Sequence, residues 1–256
     1  MVRRESKVAA DWFADAFDEL YPVVYAHRSV EAARDEAAFA AAYTGLTAGD
    51  RVLDLCCGAG RHMAHLGATA ARVVGLDYSV PLLLMAREHL GARRALTRGD
   101  MRALPFTAGA FDVVLSFFTS FGYFLDEAED CRAAREMARV LAPKGRFFLD
   151  YLNATQVCAS LVPHSERRED PYMVVEDRWL DEAAARVNKK TAVLQDHETV
   201  AIREESVRLY TRPELTAILA DAGLRVEECL GDFSGGCLRD DSPRLILVGG
   251  KVSEDA

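Results

Sequence analysis

The sequence lacks any long apolar run and any excess of positive charge. No stretch of its 256 residues approaches the length of a membrane-spanning helix, and residues 1–6 lead into the amphipathic segment 9–20 without the apolar core of a secretion signal. The 31 Lys and Arg are outnumbered by 40 Asp and Glu, and a net charge of −9 disfavours a nucleic-acid partner. The pairs Arg93-Arg94 and Arg167-Arg168 are too short to change this. We therefore expect a cytoplasmic protein without membrane or nucleic-acid partners.

Cysteine is also sparse, and its spacing is irregular. The six cysteines are Cys56, Cys57, Cys131, Cys158, Cys229 and Cys237, and they form neither a Cys-x-x-Cys pair nor a small secreted framework. They are expected to be reduced. His62 and His65 share a predicted helix face, but no third ligand cluster accompanies them, so we expect no metal.

Strand-like and helix-like segments alternate from residue 51 to residue 151. Strands are predicted near 51–56, 72–77, 95–99, 111–117 and 146–151, and helices over 61–67, 80–90 and 128–141, with a turn at Pro143-Lys144-Gly145. Alternation of this kind is typical of right-handed βαβ winding in one α/β domain.

The most informative segment is residues 54–62, Asp-Leu-Cys-Cys-Gly-Ala-Gly-Arg-His, which follows the first strand. Gly58 and Gly60 allow a sharp turn and a close approach of a ligand to the backbone, with the N–H groups of the next helix facing that ligand. Asp54 adds a carboxylate that suits an ammonium or a hydroxyl group better than a phosphate. The segment therefore predicts a nucleotide-type site that does not bind pyrophosphate.

Two further strand ends carry acids. Asp77 stands 17 residues after Gly60, where dinucleotide-binding folds place a ribose-binding acid. Asp100 is placed to accept from an adenine amino group, with Met101 against the ring. Met63 holds the place of the third glycine of the dinucleotide pattern, which disfavours NAD without excluding it. Taken singly, the glycines also fit a plain tight turn, and Asp77 also fits a helix cap.

Together these segments resemble the motifs of class I S-adenosylmethionine (SAM) dependent methyltransferases. Residues 54–62 are particularly similar to bacterial small-molecule and peptide methyltransferases with a Cys-Cys-Gly-x-Gly-Arg-His loop, and the resemblance extends over 118–124, 134–150 and 231–251. It implies an α/β fold with a doubly wound, Rossmann-like sheet of seven mostly parallel strands, the last one antiparallel. The commonest loop of the family has glycine where Cys56 stands.

The resemblance also implies how SAM is held. The backbone of 56–60 would hold the methionine part, Asp77 the ribose, and Asp100 with Met101 the adenine. The complete predicted cofactor set is Asp54, Cys56, Gly58, Gly60, Asp77, Tyr78, Asp100, Met101 and Phe117.

The remaining segments predict a single methyltransferase domain over residues 1–256. Residues 1–45, with an alanine-rich helix over 31–42, would cover the site, and 46–155 form the cofactor-binding core. Mixed charged and apolar segments at 172–179, 185–193 and 199–210 predict an inserted antiparallel β meander within 160–210. Residues 211–256 supply a helix over 212–223 and closing strands near 225–233 and 244–251.

The methyl carbon of SAM is electrophilic, so the enzyme mainly positions a nucleophile, a nitrogen or an oxygen of a small molecule or short peptide. A hydroxyl acceptor would benefit from a general base, whereas an amine need only arrive deprotonated. The catalytic candidates are His62, for which a structural role is favoured, and Tyr21 and Tyr25, as partners of the sulfonium through cation–π or oxygen contacts or, equally, as core or surface aromatics. The acceptor candidates are Ser120, Tyr123, Arg178 and Tyr210.

Two other functions fit the same residues. Aminopropyl transfer from a related adenosyl ligand would require acidic residues around a polyamine pocket. A protein that binds SAM as a sensor without turnover would have a blocked crevice near Ser120 and Tyr123.

Overall fold

The computed structural model describes residues 8–70, 72–92 and 95–252, so residues 1–7 and the pair Arg93-Arg94 lie outside the described residues. The helices described are α1 (Phe13–Ala16), α2 (Tyr21–Val24), α3 (Val30–Thr44), α4 (Met63–Leu66), α5 (Val80–Leu90), α6 (Glu127–Val140), α7 (Ala154–Ser160) and α8 (Arg212–Asp221). The strands are β1 (Arg51–Leu55), β2 (Arg72–Asp77), β3 (Ala95–Arg98), β4 (Phe111–Ser116), β5 (Leu141–Leu152), β6 (His164–Glu169), β7 (Tyr172–Asp181), β8 (Arg186–Gln195), β9 (Glu198–Arg208), β10 (Leu224–Leu230) and β11 (Arg244–Lys251).

Seven strands form the main sheet, in the order β10-β11-β5-β4-β1-β2-β3. Neighbouring strands are parallel from β3 to β5, and β11 is antiparallel to both β5 and β10. The predicted doubly wound sheet with an antiparallel last strand is thus confirmed. The strand order reverses between β1 and β4, and such a reversal opens a crevice at the carboxyl ends of the strands.

Helices cover both faces of this sheet, because its central strands are apolar on both sides. On one face Leu53, Leu55 and Leu76 belong to a cluster that includes Met137 of α6. On the other face the cluster is built from residues such as Val52, Val113, Leu115, Phe148 and Ala40. Burial on both sides holds the sheet rigid, and the loops at its carboxyl edge are therefore fixed in position.

The inserted meander is confirmed, but it has four strands, in the order β6-β7-β8-β9, and not the predicted three. The additional strand, β6, reads His-Ser-Glu-Arg-Arg-Glu and lies at the edge of the sheet, paired with β7 through its backbone. Because it has no apolar residue, the alternation that marks a half-buried strand is absent.

Three predicted boundaries are wrong. The amphipathic segment 9–20, whose pattern is typical of a helix, contains only the one-turn helix α1, since the Asp18 carboxylate accepts from the backbone N–H of Leu20 and competes with a continued helix. The helix expected from Arg61 begins at Met63 and has one turn. β5 begins at Leu141, which pairs with Phe111, and it runs through the expected turn at Pro143-Lys144-Gly145.

Across the described ranges, no helix is both long enough and apolar enough to cross a membrane.

Candidate functional site

A cleft with a volume of about 1,000 Å³, open solvent included, lies at the carboxyl edge of the main sheet. It brings together residues from the ends of β1, β2, β3 and β4 and from the N-terminal segment. The predicted site residues that line it are Tyr21, Tyr25, Cys56, Gly58, His62, Asp77, Tyr78, Asp100, Met101, Phe117, Ser120 and Tyr123. Asp54, Gly60, Arg178 and Tyr210 are not among its lining residues.

The loop after β1 takes left-handed backbone angles at three positions. The φ angles are 61° at Cys56, 54° at Gly58 and 76° at Gly60. A Cβ atom on Gly60 would also lie 2.6 Å from Cδ1 of Leu90 and 3.2 Å from Cβ of Ala86, so close packing adds to the preference for glycine that the backbone angle sets. Cys56 is the exception, since a residue with a Cβ occupies a conformation that favours glycine.

Substitutions at Cys56 should follow the order that its backbone angle sets. Cys56→Gly is expected to change the unfolding free energy by less than about 1 kcal/mol, because relief of left-handed strain offsets the lost side chain. Cys56→Ala should be less stable than Cys56→Gly, and the β-branched Cys56→Val should be about 2 kcal/mol less stable than wild type. Urea denaturation measures all three. If the alanine variant were more stable than the glycine variant, φ at this position would not be positive.

Asp77 ties the loop to the end of β2. Its Oδ2 accepts from the Gly58 N–H at 2.7 Å, and its Oδ1 accepts from the Ser79 N–H at 2.8 Å. Burial raises the pKa of Asp77, although the hydrogen bonds from Ser79 and Gly58 oppose that rise. Ser79 in turn caps α5 by accepting from the Leu82 N–H. Asp77 therefore supports a helix cap and also lines the cleft.

Asp54 is 1% exposed on β1, and its Oδ2 has no hydrogen-bond partner among the described residues. The pKa of Asp54 is raised to about 8, mainly by burial and also by the charge of Asp77, with Arg61 acting in the opposite direction. The carboxyl is therefore largely protonated at neutral pH. A buried acid with an unsatisfied oxygen beside a cleft is characteristic of functional sites.

Asp54→Asn should stabilise the protein in a pH-dependent way. An acid whose pKa is higher in the folded state makes the protein less stable as pH rises from its unfolded pKa, near 4, to its folded pKa, near 8. The neutral amide removes this effect, so the Tm gain over wild type should increase from pH 5 to pH 8 and reach several degrees. Thermal unfolding at both pH values measures it. A Tm gain that does not grow with pH would show that Asp54 is already ionised in the folded protein.

Asp100 is held by its own loop. Its carboxylate accepts from the Arg102 side chain, with Nη2 to Oδ2 at 2.6 Å, and from the Arg102 backbone N–H at 2.8 Å. Burial would raise the pKa of Asp100, but the hydrogen bonds and charge of Arg102 lower it overall, so the group stays ionised. Met101 beside it is buried and lines the cleft.

Four aromatic residues of the N-terminal segment lie against the cleft at a spacing of four residues: Phe13, Phe17, Tyr21 and Tyr25. Phe17 stacks on Tyr123 at 5.8 Å between centroids, and Tyr21 contacts Tyr25 at 4.7 Å. Sequence reasoning singled out only the two tyrosines. A repeat of four is the spacing of one helix face and would have identified Phe13 and Phe17 as well, although the segment forms only the short helices α1 and α2.

His62 is 4% exposed, and its ring stacks on Phe117 with the centroids 3.9 Å apart. Its Nε2 lies 2.7 Å from Oε2 of Glu36 on α3. Burial lowers the pKa of His62 although Glu36 acts to raise it. Phe117 thus holds the face of the His62 ring and Glu36 holds its edge, which favours a structural role for His62 over proton transfer.

The inserted sheet reaches the cleft through Tyr25. The Tyr25 hydroxyl donates to Glu205 at 2.7 Å and accepts from Nζ of Lys189, also at 2.7 Å. Burial raises the pKa of Tyr25 well above its ordinary value, and Glu205 adds to the effect. No local signal in the sequence identifies Lys189 and Glu205, since charged residues on sheet strands usually face solvent.

The loop after β4 carries Ser120 and Tyr123, and two buried side chains, Asp150 and Arg186, hold it. Asp150 accepts from the Phe118 N–H at 2.7 Å and from Nε of Arg244 at 2.6 Å. Arg186 of β8 donates to the carbonyl oxygens of the loop residues Gly122, Tyr123 and Phe124. The inserted sheet therefore fixes this loop as well as the N-terminal segment.

Arg178 and Tyr210 are engaged outside the cleft. Arg178 donates to Glu176 at 2.6 Å and to Oγ of Ser165 at 3.0 Å. Tyr210 is buried, and its hydroxyl donates to Asp130 at 2.9 Å. Burial raises the pKa of Asp130 to about 7, against the Tyr210 hydrogen bond.

Two arginines that the sequence did not single out also line the cleft, Arg28 and Arg61. The Arg28 guanidinium lies 3.3 Å from the centroid of Phe118 and 4.0 Å from that of Tyr25, and its Nη1 donates to the Tyr21 hydroxyl at 2.9 Å. Arg61 donates from Nη1 to the Ser29 carbonyl oxygen at 3.1 Å.

Comparison with known proteins agrees with this geometry. Residues 52–145 match the model of a methyltransferase domain family. The chain is 28% identical over 206 residues to a cypemycin N-terminal methyltransferase from Streptomyces sp, covering 78% of this chain and 82% of that one. It is 30% identical over 203 residues to a dTDP-3-amino-3,6-dideoxy-alpha-D-glucopyranose N,N-dimethyltransferase from Streptomyces fradiae, covering 72% and 73%.

A solved structure shares the fold. SAM-bound CalS10, an amino pentose methyltransferase from Micromonospora echinaspora, superposes with a TM-score of 0.69 at 23% identity, covering 91% of this chain and 97% of that one. The strand order, the cleft at the switch point and the relatives that align over most of both chains lead to one assignment. The chain belongs to the SAM-dependent methyltransferases, and its cofactor is SAM.

Proposed function

We propose that this protein transfers the methyl group of SAM to an amine nitrogen of a small molecule or a short peptide. The observation that carries the proposal is the single cleft in which the predicted cofactor residues Asp77 and Met101 meet the predicted acceptor residues Ser120 and Tyr123. Cofactor and acceptor would thus share one enclosed space, as direct displacement requires.

The residues present fit SAM. The cofactor supplies a methyl carbon that is activated by the sulfonium. Asp77 has lone pairs left beyond its two backbone hydrogen bonds, and we assign them to the ribose hydroxyls. The Gly58 region and the unsatisfied Oδ2 of Asp54 are assigned to the methionine part, whose ammonium suits a carboxyl that gives up its proton when a cation binds. The adenine is assigned to Asp100 and Met101 beside Tyr78 and Phe117.

The Cys-Cys-Gly-x-Gly-Arg-His loop supports the likeness to bacterial enzymes that act on small molecules and peptides. Cys56 takes the backbone angle that glycine takes more easily, so the variant loop keeps the turn. We further infer that residues 1–256 act as one domain, with 1–45 and the insert covering the cofactor-binding core.

Nitrogen is favoured over oxygen by the side chains around the acceptor. A hydroxyl acceptor needs a base, but Nε2 of His62 is hydrogen-bonded to Glu36, and Asp100 is paired with Arg102. Tyr25 is a poor base as well, because burial keeps its phenol protonated. An amine that arrives uncharged needs only to be positioned. The two relatives aligned above are named as an N-terminal methyltransferase and an N,N-dimethyltransferase, which supports the same choice.

The test has two stages. Calorimetric titration with S-adenosylhomocysteine, the product of any methyl transfer, is compared with titration with NAD, and we expect one-to-one binding of the former only. Mass spectrometry then follows transfer from SAM to matched amine and alcohol panels of amino sugars and short peptides. Tighter binding of NAD would contradict the cofactor assignment, and methylation of alcohols alone would contradict the choice of nitrogen.

A further inference from the structure

Arg28 and Arg61 are cations of the cleft that no carboxylate balances. Across residues 8–70, 72–92 and 95–252, neither guanidinium forms an ion pair; their hydrogen bonds go to the Tyr21 hydroxyl and to the Ser29 carbonyl oxygen. Nε of Arg28 is buried and has no hydrogen-bond partner. Glu36 acts electrostatically on Arg61, but its carboxylate is paired with His62.

Few other charged groups line the cleft. Asp100 is paired with Arg102, and Asp77 accepts only from uncharged backbone N–H groups. Beyond the cleft lining, Lys189 pairs with Glu205 at 2.7 Å. The two arginines therefore outnumber the one carboxylate of the cleft lining that has no cationic partner among the described residues, and the surplus is positive.

Both arginines surround one ring. The Arg28 guanidinium lies 3.3 Å from the centroid of Phe118, and that of Arg61 lies 5.7 Å from it. Burial lowers the pKa of Arg61, and the nearby charge of Arg28 lowers it further, so holding two such cations together is unfavourable without an anion. A planar guanidinium with free N–H groups is the side chain best suited to bind a carboxylate or a phosphate.

The cofactor cannot balance both. SAM has one carboxylate against an ammonium and a sulfonium, so even with Asp54 ionised opposite the ammonium its binding does not reduce the positive charge of the cleft. One carboxylate pairs bidentately with one guanidinium and leaves the other without an anion. The remaining positive charge has to be met by the second ligand.

We propose that the methyl acceptor carries an oxyanion, a carboxylate or a phosphate, which binds to Arg28 and Arg61 at the face of Phe118. This inference rests on the proposed function, since it names the chemical class of the acceptor of that site. The reacting nitrogen and the oxyanion then belong to one molecule, and the arginines set how far the nitrogen reaches toward Ser120 and Tyr123.

The probe is inorganic pyrophosphate, titrated calorimetrically at fixed ionic strength with and without saturating S-adenosylhomocysteine. Wild type should bind it in both cases. Arg28→Gln and Arg61→Gln should each weaken binding by about tenfold or more, the usual effect of losing charge-assisted hydrogen bonds. The matched control is Arg225→Gln, which changes an exposed arginine on β10 that is paired with Glu227 and should leave the affinity unchanged.

A second arm separates the acceptor from the cofactor as the source of the oxyanion. S-adenosylhomocysteine is compared with 5′-methylthioadenosine, which lacks the amino-acid carboxylate. The proposal is overturned if both variants weaken only S-adenosylhomocysteine, because both arginines would then hold the cofactor. It is also overturned if pyrophosphate fails to bind wild type or binds Arg61→Gln equally well. Failure of S-adenosylhomocysteine to bind would contradict the proposed function instead, and the pyrophosphate titration without it would still decide the oxyanion site.

Discussion

Asp77→Ala is expected to weaken S-adenosylhomocysteine binding by about 100-fold, because two kinds of hydrogen bond to one carboxylate are lost together. The first kind is assigned to the ribose hydroxyls of the cofactor. The second kind holds the loop, since Asp77 accepts from the N–H groups of Gly58 and Ser79 at 2.7 and 2.8 Å. Without them the loop that faces the methionine part loses its attachment to β2. Calorimetric titration of wild type and variant measures the difference.

The matched control for this change is Asp112→Ala. Asp112 is also an aspartate of the main sheet, but it lies near the start of β4, where it pairs with Arg51 at 2.8 Å. Its removal should leave cofactor affinity unchanged, because the amino ends of these strands lie at the opposite edge of the sheet from the cleft. If Asp77→Ala bound S-adenosylhomocysteine within about threefold of wild type, well below the usual value of one charged hydrogen bond, the ribose would have to be placed elsewhere.

The strands and the acidic strand ends could be predicted because their signals are local. The centre of β4, Val113-Val114-Leu115, is apolar, and Asp54 and Asp77 stand near or at the ends of the apolar strands β1 and β2. Since parallel strands bring their carboxyl ends to one edge, sequence order alone was enough to predict that Asp77 and Asp100 line one cleft.

The contacts that the N-terminal segment and the inserted sheet make around the cleft could not be predicted in the same way. Lys189 meets Tyr25 across a separation of 164 residues, and the contact depends on how the inserted sheet packs on the N-terminal segment. Arg28 has no signal in the sequence, and Arg61 stands in the loop motif without a predicted role, until the fold places both beside Phe118. Asp54 was predicted as a site residue from its place in the sequence, but its burial and raised pKa depend on packing and could not be predicted.

Arg186→Met should produce the largest loss of stability among these variants, about 3–5 kcal/mol, with a Tm lower by roughly 10 °C. Arg186 is 5% exposed, and it donates to Ser206 Oγ at 2.7 Å and to the Ser206 carbonyl oxygen at 2.8 Å. It also donates to the carbonyl oxygens of Gly122, Tyr123 and Phe124, between 2.9 and 3.1 Å away. Methionine fills a similar volume but donates no hydrogen bond, so the carbonyl oxygen of Phe124 loses this donor and those of Gly122 and Tyr123 keep only the Arg208 N–H and the Trp12 Nε1–H. Thermal and urea unfolding measure the loss.

Arg186→Met should impair binding of the acceptor but not of the cofactor. Arg186 supports the loop that carries Ser120 and Tyr123, and it touches none of the predicted SAM residues. Below its lowered Tm, the variant should bind S-adenosylhomocysteine nearly as wild type does, while KM for the amine acceptor rises. Arg186→Lys keeps the charge without the forked geometry of the guanidinium, so its stability and its KM should lie between those of wild type and Arg186→Met. Arg225→Met, at a side chain 73% exposed, is the control and should change the unfolding free energy by less than about 0.5 kcal/mol. An Arg186→Met protein as stable as that control would mean that the inserted sheet does not hold the acceptor loop, and the loop would then have to be fixed by Asp150 and Arg244 alone.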